Sequence, residues 1–490
     1  MVLNSKITVH PDGQVLLTSG GTELKTAFQS LLTHCYYLMI LNDQLILTCA
    51  SVNRLREAVL HTRNNASNSA LKEEEMVKRV DKSVNDIFFR SATLMVVSVL
   101  RFVVTFLEAP ISMAALYIHS LLKLAFLCSF WPIITPLSLN YPAVFNFGDS
   151  NSDTGGIVAG KAFTLAQFDG QTYFHEFSGR FCDGRLIIDF LMEAMELPYM
   201  NPYLESVGSP SFQTGCNFAT GGATIQPANA ASTNPFSFNI QLSQFFRFKN
   251  RVLTLLSKDK ELEKYLPAED YFRKALYMFD IGQNDLDGAL YSLESEKQVL
   301  DLVLKLVYDL NYGMKRLYNA GARNFWVHNT GPLGCLPRII STFGENPSNL
   351  DEHGCIASHN RAATIFNQKL RDICLQFLTQ CPEANITYVD IYSIKLNLIS
   401  NHSLYGFQQP LAACCGYGGP PLNFDIRMPC GITKDLNGTI ATANPCNNTA
   451  EYINWDGTHY TESANRFVAD QILTGNYSDS PHLGTSPFFN

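Results

Sequence analysis

Tyr141-Pro-Ala-Val-Phe-Asn-Phe-Gly-Asp-Ser150-Asn-Ser-Asp-Thr-Gly-Gly156 is the stretch on which the reading of this chain turns. Its first half is short, apolar and rich in β-branched and aromatic residues, which predicts a buried strand. Its second half crowds Gly, Asp, Asn, Ser and Thr, which predicts a turn that presents Ser150 just past the strand. A serine placed there has two readings. It caps the helix that follows, as Asp, Ser, Asn and Thr commonly do, or it is a displayed nucleophile. A hydroxyl is weakly nucleophilic at its own pKa, so the second reading demands a base, an orienting group and oxyanion donors elsewhere in the chain.

Outward from this turn, short runs of the same character recur at Ala143 to Phe147, Leu276 to Ile281, Asn324 to His328 and Ile386 to Ile391. Long helical patterns lie between and after them. Glu296 to Ala320 carries Val299, Val303, Leu306, Leu310, Met314 and Leu317 on one face, and Ser358 to Gln380 carries Ile365, Phe366, Leu370, Ile373 and Phe377. Alternating strands and helices predict an α/β fold, a parallel sheet covered on both faces. Ligands of such sheets bind beyond the carboxyl ends of the strands, where Ser150 is expected.

Candidate partners for Ser150 stand downstream. In Trp455-Asp456-Gly-Thr-His459-Tyr460 an Asp three residues before a His can fold back to hold its imidazole. The bland alternative is a loop in which Asp456 caps the next helix and His459 packs on the surface. Asn284, in Phe279-Asp-Ile-Gly-Gln-Asn284-Asp285, follows a predicted strand, so its side-chain amide can reach over the site. Gly215-Cys-Asn-Phe-Ala-Thr-Gly-Gly222-Ala-Thr224 offers backbone N–H groups with no Cβ in the way, although glycines also simply mark turns.

The chain has 490 residues, 46% hydrophobic and 16% charged, enough for one large domain plus additional material. A net charge of −8 and a pI near 5.8, with no basic run interleaved with aromatics, argue against a nucleic-acid partner. Of 13 cysteines, Cys35, Cys49 and Cys128 precede residue 141, leaving ten beyond it, an even number that suits disulfides. Cys414, Cys415, Cys430 and Cys446 gather in a Gly/Pro/Asn-rich region where covalent staples would replace regular structure. Adjacent Cys414 and Cys415 do not suit tetrahedral zinc, and no metal is expected. Sequons at Asn385, Asn401, Asn437, Asn447 and Asn476 add to a secretory reading.

Residues 1–112 differ in character, with a charge run Lys72-Glu-Glu-Glu-Met-Val-Lys-Arg79 that reads as a solvated helical face. Two apolar stretches, Ala92 to Leu107 and Pro110 to Leu139, follow. From Met113 the second has the layout of a signal peptide, with Lys123, an apolar core from Leu124 to Ile134 and Ser138 before the predicted strand. On that reading 1–112 is an extension of unknown role or a gene-model artefact, 113–139 a signal-like segment, 140–480 the catalytic domain and 481–490 a tail. The competing reading retains residues 92–139 as a membrane anchor.

From about Tyr141 to Leu473 the chain resembles the plant GDSL esterases/lipases of the SGNH hydrolase superfamily. The resemblance rests on four blocks in order: Phe147-Gly-Asp-Ser150 with Asn151-Ser-Asp-Thr-Gly155, Gly215-x-Asn-Phe-Ala-x-Gly-Gly-Ala223, Gly282-Gln-Asn-Asp285 and Asp456-Gly-Thr-His459. Gly331-Pro-Leu-Gly-Cys335-Leu-Pro337 and Cys414-Cys-Gly416 agree with it. The G-x-S-x-G elbow of α/β-hydrolases is absent, residue 152 being Ser. The resemblance implies a flavodoxin-like three-layer α/β/α sandwich with a central parallel sheet. It further implies Ser150 as nucleophile, His459 as general base and acid, and Asp456 as the orienting carboxylate. The oxyanion hole would comprise the Ser150 N–H, the Gly222 N–H (Gly221 if the register differs by one) and the Asn284 side chain.

The expected function is a secreted, monomeric hydrolase of carboxylic esters, acting in the extracellular space or cell wall on a small-molecule or saccharide ester without cofactor. Two other readings compete. A glycoside hydrolase would need two carboxylates flanking the bond, about 5 to 10 Å apart, and Asp149, Asp153 and Asp285 are the nearest in sequence. A non-catalytic, membrane-anchored binding protein would use the apolar segments as its tether. Irregular stretches at Gly156 to Phe177 and Leu404 to Asn448 are expected to line the substrate pockets, with Phe163, Phe168, Phe174 and Phe407 available for stacking.

Overall fold

The computed structural model describes residues 139–161, 166–227, 234–291, 295–436 and 438–479, together with two short strands at 6–9 and 15–18. The rest of the N-terminal extension, the apolar segments up to residue 138 and the 481–490 tail lie outside the described residues. The chain divides into two compact units, Met1–Pro132 and Ile133–Asn490. In the first, Lys6–Val9 and Val15–Thr18 pair antiparallel, Lys6 opposite Thr18.

The second unit is built on five parallel strands: β1 (Val144–Gly148), β2 (Gly215–Asn217), β3 (Leu276–Asp280), β4 (Asn324–His328) and β5 (Asn385–Val389). Their spatial order is β2-β1-β3-β4-β5. The chain order reverses between β1 and β3, and a crevice for ligand opens at such a switch point, beyond the carboxyl ends. Ser150 follows β1 by two residues and so lies at that crevice.

Among the described residues the main helices over the sheet are α1 (Ile187–Ala194), α2 (Phe238–Leu256), α3 (Gln283–Leu290), α4 (Glu296–Asn319), α5 (Ala357–Gln380), α6 (Ile391–Ser400) and α7 (Glu462–Leu473). Strand residues alternate between two cores, as the pleat requires. Phe145, Phe147, Tyr277, Phe279, Phe325 and Val327 pack with Leu242 and Phe245 of α2, Leu306 and Leu310 of α4, and Phe366 of α5. Val144, Leu276, Met278 and Trp326 face the other way, onto Leu191 of α1, Ile394 of α6 and Val468 of α7. This is the three-layer α/β/α sandwich expected. Phe147 lies between Phe218 and Phe279, its ring centroid 5.3 and 5.4 Å from theirs. Burying one such ring contributes about 1.5 to 3 kcal/mol, so the aromatic row beneath the serine turn anchors it firmly.

Element boundaries depart from the sequence reading where a side chain ends the element. β5 stops at Val389, not Ile391, because Asp390 caps α6, its carboxylate accepting the Ser393 N–H at 3.1 Å. β2 is missing from the reading altogether. It is three residues long, and Gly215 has φ +114° with the Val144 carbonyl where a Cβ would be. The expected staples form in the Cys414 to Cys446 region, but not every cysteine beyond residue 141 pairs. Six of the ten pair, as Cys335–Cys355, Cys414–Cys446 and Cys415–Cys430, while Cys182, Cys216, Cys374 and Cys381 are buried free thiols. Cys374 and Cys381 lie seven residues apart along one chain direction, about 10 Å on a helix, beyond disulfide reach. The two bridges from Cys414 and Cys415 close the irregular region around the buried Trp455, just ahead of Asp456.

Gly148, the last residue of β1, is required by close approach. A Cβ there would lie 2.4 Å from Ser152 Oγ and 2.8 Å from the Asp280 carbonyl oxygen. Gly148→Ala is therefore expected to lower stability by about 1 to 3 kcal/mol and to displace the serine turn. Chemical denaturation together with esterase activity checks both effects.

Candidate active site

Ser150 sits in a turn, not at a helix start. The next helix, Gly156–Lys161, begins six residues later, and Asp153 caps it: its carboxylate accepts the N–H groups of Gly155 (2.8 Å), Gly156 (2.5 Å) and Ile157 (3.1 Å). Asp153 also takes the Gly221 N–H at 2.7 Å, tying the Gly221-Gly222 turn to the serine turn. Burial pushes the Asp153 carboxyl up to about 6 in spite of these four N–H donors, which favour its ionised form. Asn217 of β2 makes a second tie, donating from Nδ2 to the Ser152 carbonyl (2.7 Å) and Thr154 Oγ1 (2.9 Å). The Gln241 side chain completes the frame like an added strand, accepting the Gly148 N–H at 3.0 Å and donating to its carbonyl at 2.8 Å.

The far partners come to this turn. His459 Nε2 is 2.8 Å from Ser150 Oγ, and His459 Nδ1 is 2.7 Å from Asp456 Oδ2. Asp456 folds back within one turn, and its other oxygen accepts the N–H groups of Thr458 (2.9 Å) and His459 (2.8 Å). Burial alone would raise the Asp456 carboxyl, but the adjacent His459 and those N–H groups outweigh it and hold the group below its ordinary value. The helix after this loop is capped by Thr461, whose Oγ1 takes the Ala464 N–H at 3.3 Å, so Asp456 is not its cap. Gly457, at φ +97°, allows the tight turn, and a Cβ there would strike Phe424. The ring of Phe181 lies against His459, centroids 4.8 Å apart.

Asn284 is in the first turn of α3. Its Nδ2 donates to the Ala223 carbonyl at 2.9 Å and to Asp149 Oδ2 at 3.3 Å, beside the serine turn. Gly222 has φ +75°, in the turn that Asp153 holds through Gly221. The three acidic residues weighed for glycoside chemistry are turned to framework donors. Asp149 accepts the Asn151 N–H and Asn284 Nδ2, Asp153 the four N–H groups above, and Asp285 the N–H groups of Ile225 (2.8 Å) and Gln226 (3.1 Å). The aromatics expected to stack on substrate are mostly committed: Phe407 is buried in the core, Phe168 packs on the disulfide cluster, and Phe174 lies under the Arg180 guanidinium. Phe163 lies outside the described residues.

Several residues around the site gave no signal in sequence. Beneath the turn, Lys395 is buried with Nζ 3.8 Å from the centre of the Tyr460 ring. Burial pushes its ammonium down to about 8, opposed by Asp280 and Asp149. Burial, reinforced by Asp280, raises the Asp149 carboxyl well above its ordinary range. His328, pushed down to about 3 by burial and by Lys395, is neutral. Lys395 and His328 lie 245 and 178 positions from Ser150 and on different elements, so only the folded chain gathers them. Among the described residues no cluster of side chains suited to a metal ion is present.

Comparison with known proteins shows the family. The family model of GDSL-like lipases/acylhydrolases matches residues 144–472. The chain is similar to two proteins of Arabidopsis thaliana, the GDSL esterase/lipase At1g54790 (52% identical, covering 74% of this chain and 96% of that protein) and the GDSL esterase/lipase At3g05180 (52% identical, covering 74% and 97%). It is also 43% identical to the GDSL esterase/lipase ENOD8 of Medicago truncatula, over 72% of this chain and 92% of that one. With the parallel sheet, these matches make the chain a member of the plant GDSL esterase/lipase family, a carboxylester hydrolase acting on small-molecule esters.

Proposed function

We propose that hydrolysis proceeds through an acyl-enzyme on Ser150, with His459 as general base and then general acid and Asp456 as its orienter. The observation that carries this reading is the unbroken relay from Ser150 Oγ through both nitrogens of His459 to Asp456, at 2.8 and 2.7 Å. His459 takes the serine proton as Oγ attacks the ester carbonyl, then returns it to the leaving alcohol; water repeats the sequence to release the acid. Asp456, ionised, fixes the tautomer with Nδ1–H and stabilises the imidazolium. The developing oxyanion is received by the N–H groups of Ser150 and Gly222 and by Asn284 Nδ2, whose 3.3 Å bond to Asp149 is the weaker of its two and the one to yield. The Gly221 N–H is given to Asp153 at 2.7 Å, and Gly222 is the donor that the family register implies.

The proposal extends to a secreted enzyme. Three disulfides and exposed sequon asparagines at Asn401, Asn447 and Asn476 support it. Among the described residues no helix is long and apolar enough to cross a membrane. A fluorophosphonate probe, with the adduct mapped by peptide mass spectrometry, tests the nucleophile. The expected result is one adduct, on Ser150, forming in step with loss of nitrophenyl ester hydrolysis; an adduct elsewhere, or hydrolysis undiminished after labelling, overturns the assignment.

A further inference from the structure

Arg338 connects the two sides of the site. Its short helix, Pro337–Phe343, follows the segment Gly331-Pro-Leu-Gly-Cys335-Leu-Pro337. That segment is fastened by the Cys335–Cys355 disulfide, by the Gly334 N–H on Asn360 Oδ1 at 2.9 Å, and by the Ile356 N–H on the Gly334 carbonyl at 2.8 Å. From this fixed base the Arg338 backbone N–H donates to the Gly457 carbonyl at 3.0 Å, and Nε donates to Thr458 Oγ1 at 3.3 Å. Both acceptors belong to the turn between Asp456 and His459. The same guanidinium pairs through Nη2 with Asp287 Oδ2 at 2.6 Å, and Asp287 lies three residues beyond Asn284 on α3. Only 22% and 16% of these two side chains are exposed, so water screens the pair less than an ordinary surface ion pair.

We propose that the Arg338–Asp287 pair positions the His459 loop against the helix that carries Asn284, setting the distance between general base and oxyanion donor. This rests on the roles proposed above for Ser150, His459 and Asn284. The loop needs such a tie, because Gly457 sits at its centre with a backbone few other residues adopt. The pair also balances charge near the base. Asp456 faces His459 from its own turn, Asp169 acts on Asp456, and His359 lies near Asp287 and Arg338.

The test is steady-state kinetics on a nitrophenyl ester for Arg338→Gln, Arg338→Lys, Asp287→Asn and the double variant, with folding checked by circular dichroism. Arg338→Gln and Asp287→Asn are each expected to lose about 10- to 100-fold in kcat, the cost of a misplacement near 1 Å, with KM little changed. Arg338→Lys should recover part of that loss. The acid limb of kcat/KM should move in opposite directions: upward in pH for Arg338→Gln, which leaves the Asp287 carboxylate uncompensated, and downward for Asp287→Asn, which leaves the guanidinium uncompensated. Folded variants with wild-type kcat, or limbs that stay put or move together, overturn the proposal. Fluorophosphonate labelling that persists in Ser150→Ala would instead overturn the underlying assignment, whatever the Arg338 variants do.

Discussion

Ser150→Ala is expected to lower kcat for a nitrophenyl ester by about a millionfold, the loss found when the nucleophile of a serine triad is removed. KM and thermal stability should stay near wild type, since the change deletes one hydroxyl whose bond is to His459 Nε2. His459→Ala should cost about as much, because without the base the hydroxyl keeps its proton. Asp456→Asn should cost about ten-thousandfold. The amide can keep an oxygen for the N–H groups of Thr458 and His459, but it turns an NH2 toward Nδ1 and selects the tautomer with its proton on Nε2, facing Ser150. The three changes should not add, because they disable one relay; the double variant Ser150→Ala, His459→Ala should be no slower than either single one. Losses that multiply, or a Ser150→Ala enzyme with a tenth of wild-type activity, would mean that the chemistry runs elsewhere.

The layout of this site was readable in advance where chemistry imposes local patterns. The apolar run into a polar turn placed β1 and Ser150, and the three-residue spacing of Asp456 and His459 is what one turn needs to close the 2.7 Å contact. The long helices were legible from apolar residues at helical spacing: α4 begins at Glu296 as read, with Ser295 and Gln298 forming a capping box. What stayed hidden depends on contacts between distant segments. Gln241 resembles any polar residue in sequence, yet it fastens the serine turn as Asn217 of the second block does. Lys395 sits in a helix of mixed character, and nothing in its neighbours says that it is buried between Asp280 and Asp149. Cys182 and Cys216 made the even cysteine count misleading, because a buried thiol behaves as a small apolar side chain. Arg338 follows directly on a stretch singled out in sequence, but its meaning comes from Gly457, Thr458 and Asp287.

Asp153→Ala should be the most destabilising single change near the site, and its effect should depend on pH in a set direction. Two terms oppose each other. The carboxylate receives four backbone N–H groups, from Gly155, Gly156, Ile157 and Gly221, and hydrogen bonds to a charged group are worth about 1.5 to 3 kcal/mol each, roughly 6 to 12 kcal/mol together. For the ionised form burial nonetheless outweighs these bonds: the carboxyl rises from 3.8 to about 6, a net of about 3 kcal/mol against keeping it ionised at neutral pH. Alanine leaves the four buried N–H groups without an acceptor, at about 1 to 3 kcal/mol each, so it should cost several kcal/mol, a large share of the roughly 5 to 15 kcal/mol that holds a domain folded. The sign of the pH dependence follows from the raised value. The folded protein binds more protons than the unfolded chain between 3.8 and about 6, so this group's contribution is full below that window and declines as pH rises through it. Alanine removes that contribution, so the stability gap between wild type and Asp153→Ala should be wider at pH 4.5 than at pH 7, by about 1 to 2 kcal/mol. Urea denaturation at the two pH values measures the gap. A gap that is constant or wider at pH 7 would show that the carboxyl is not held as its four donors and its burial require. Activity should fall with stability, because the residue that caps the helix after Ser150 also holds, through Gly221, the turn that contains Gly222, the proposed oxyanion donor.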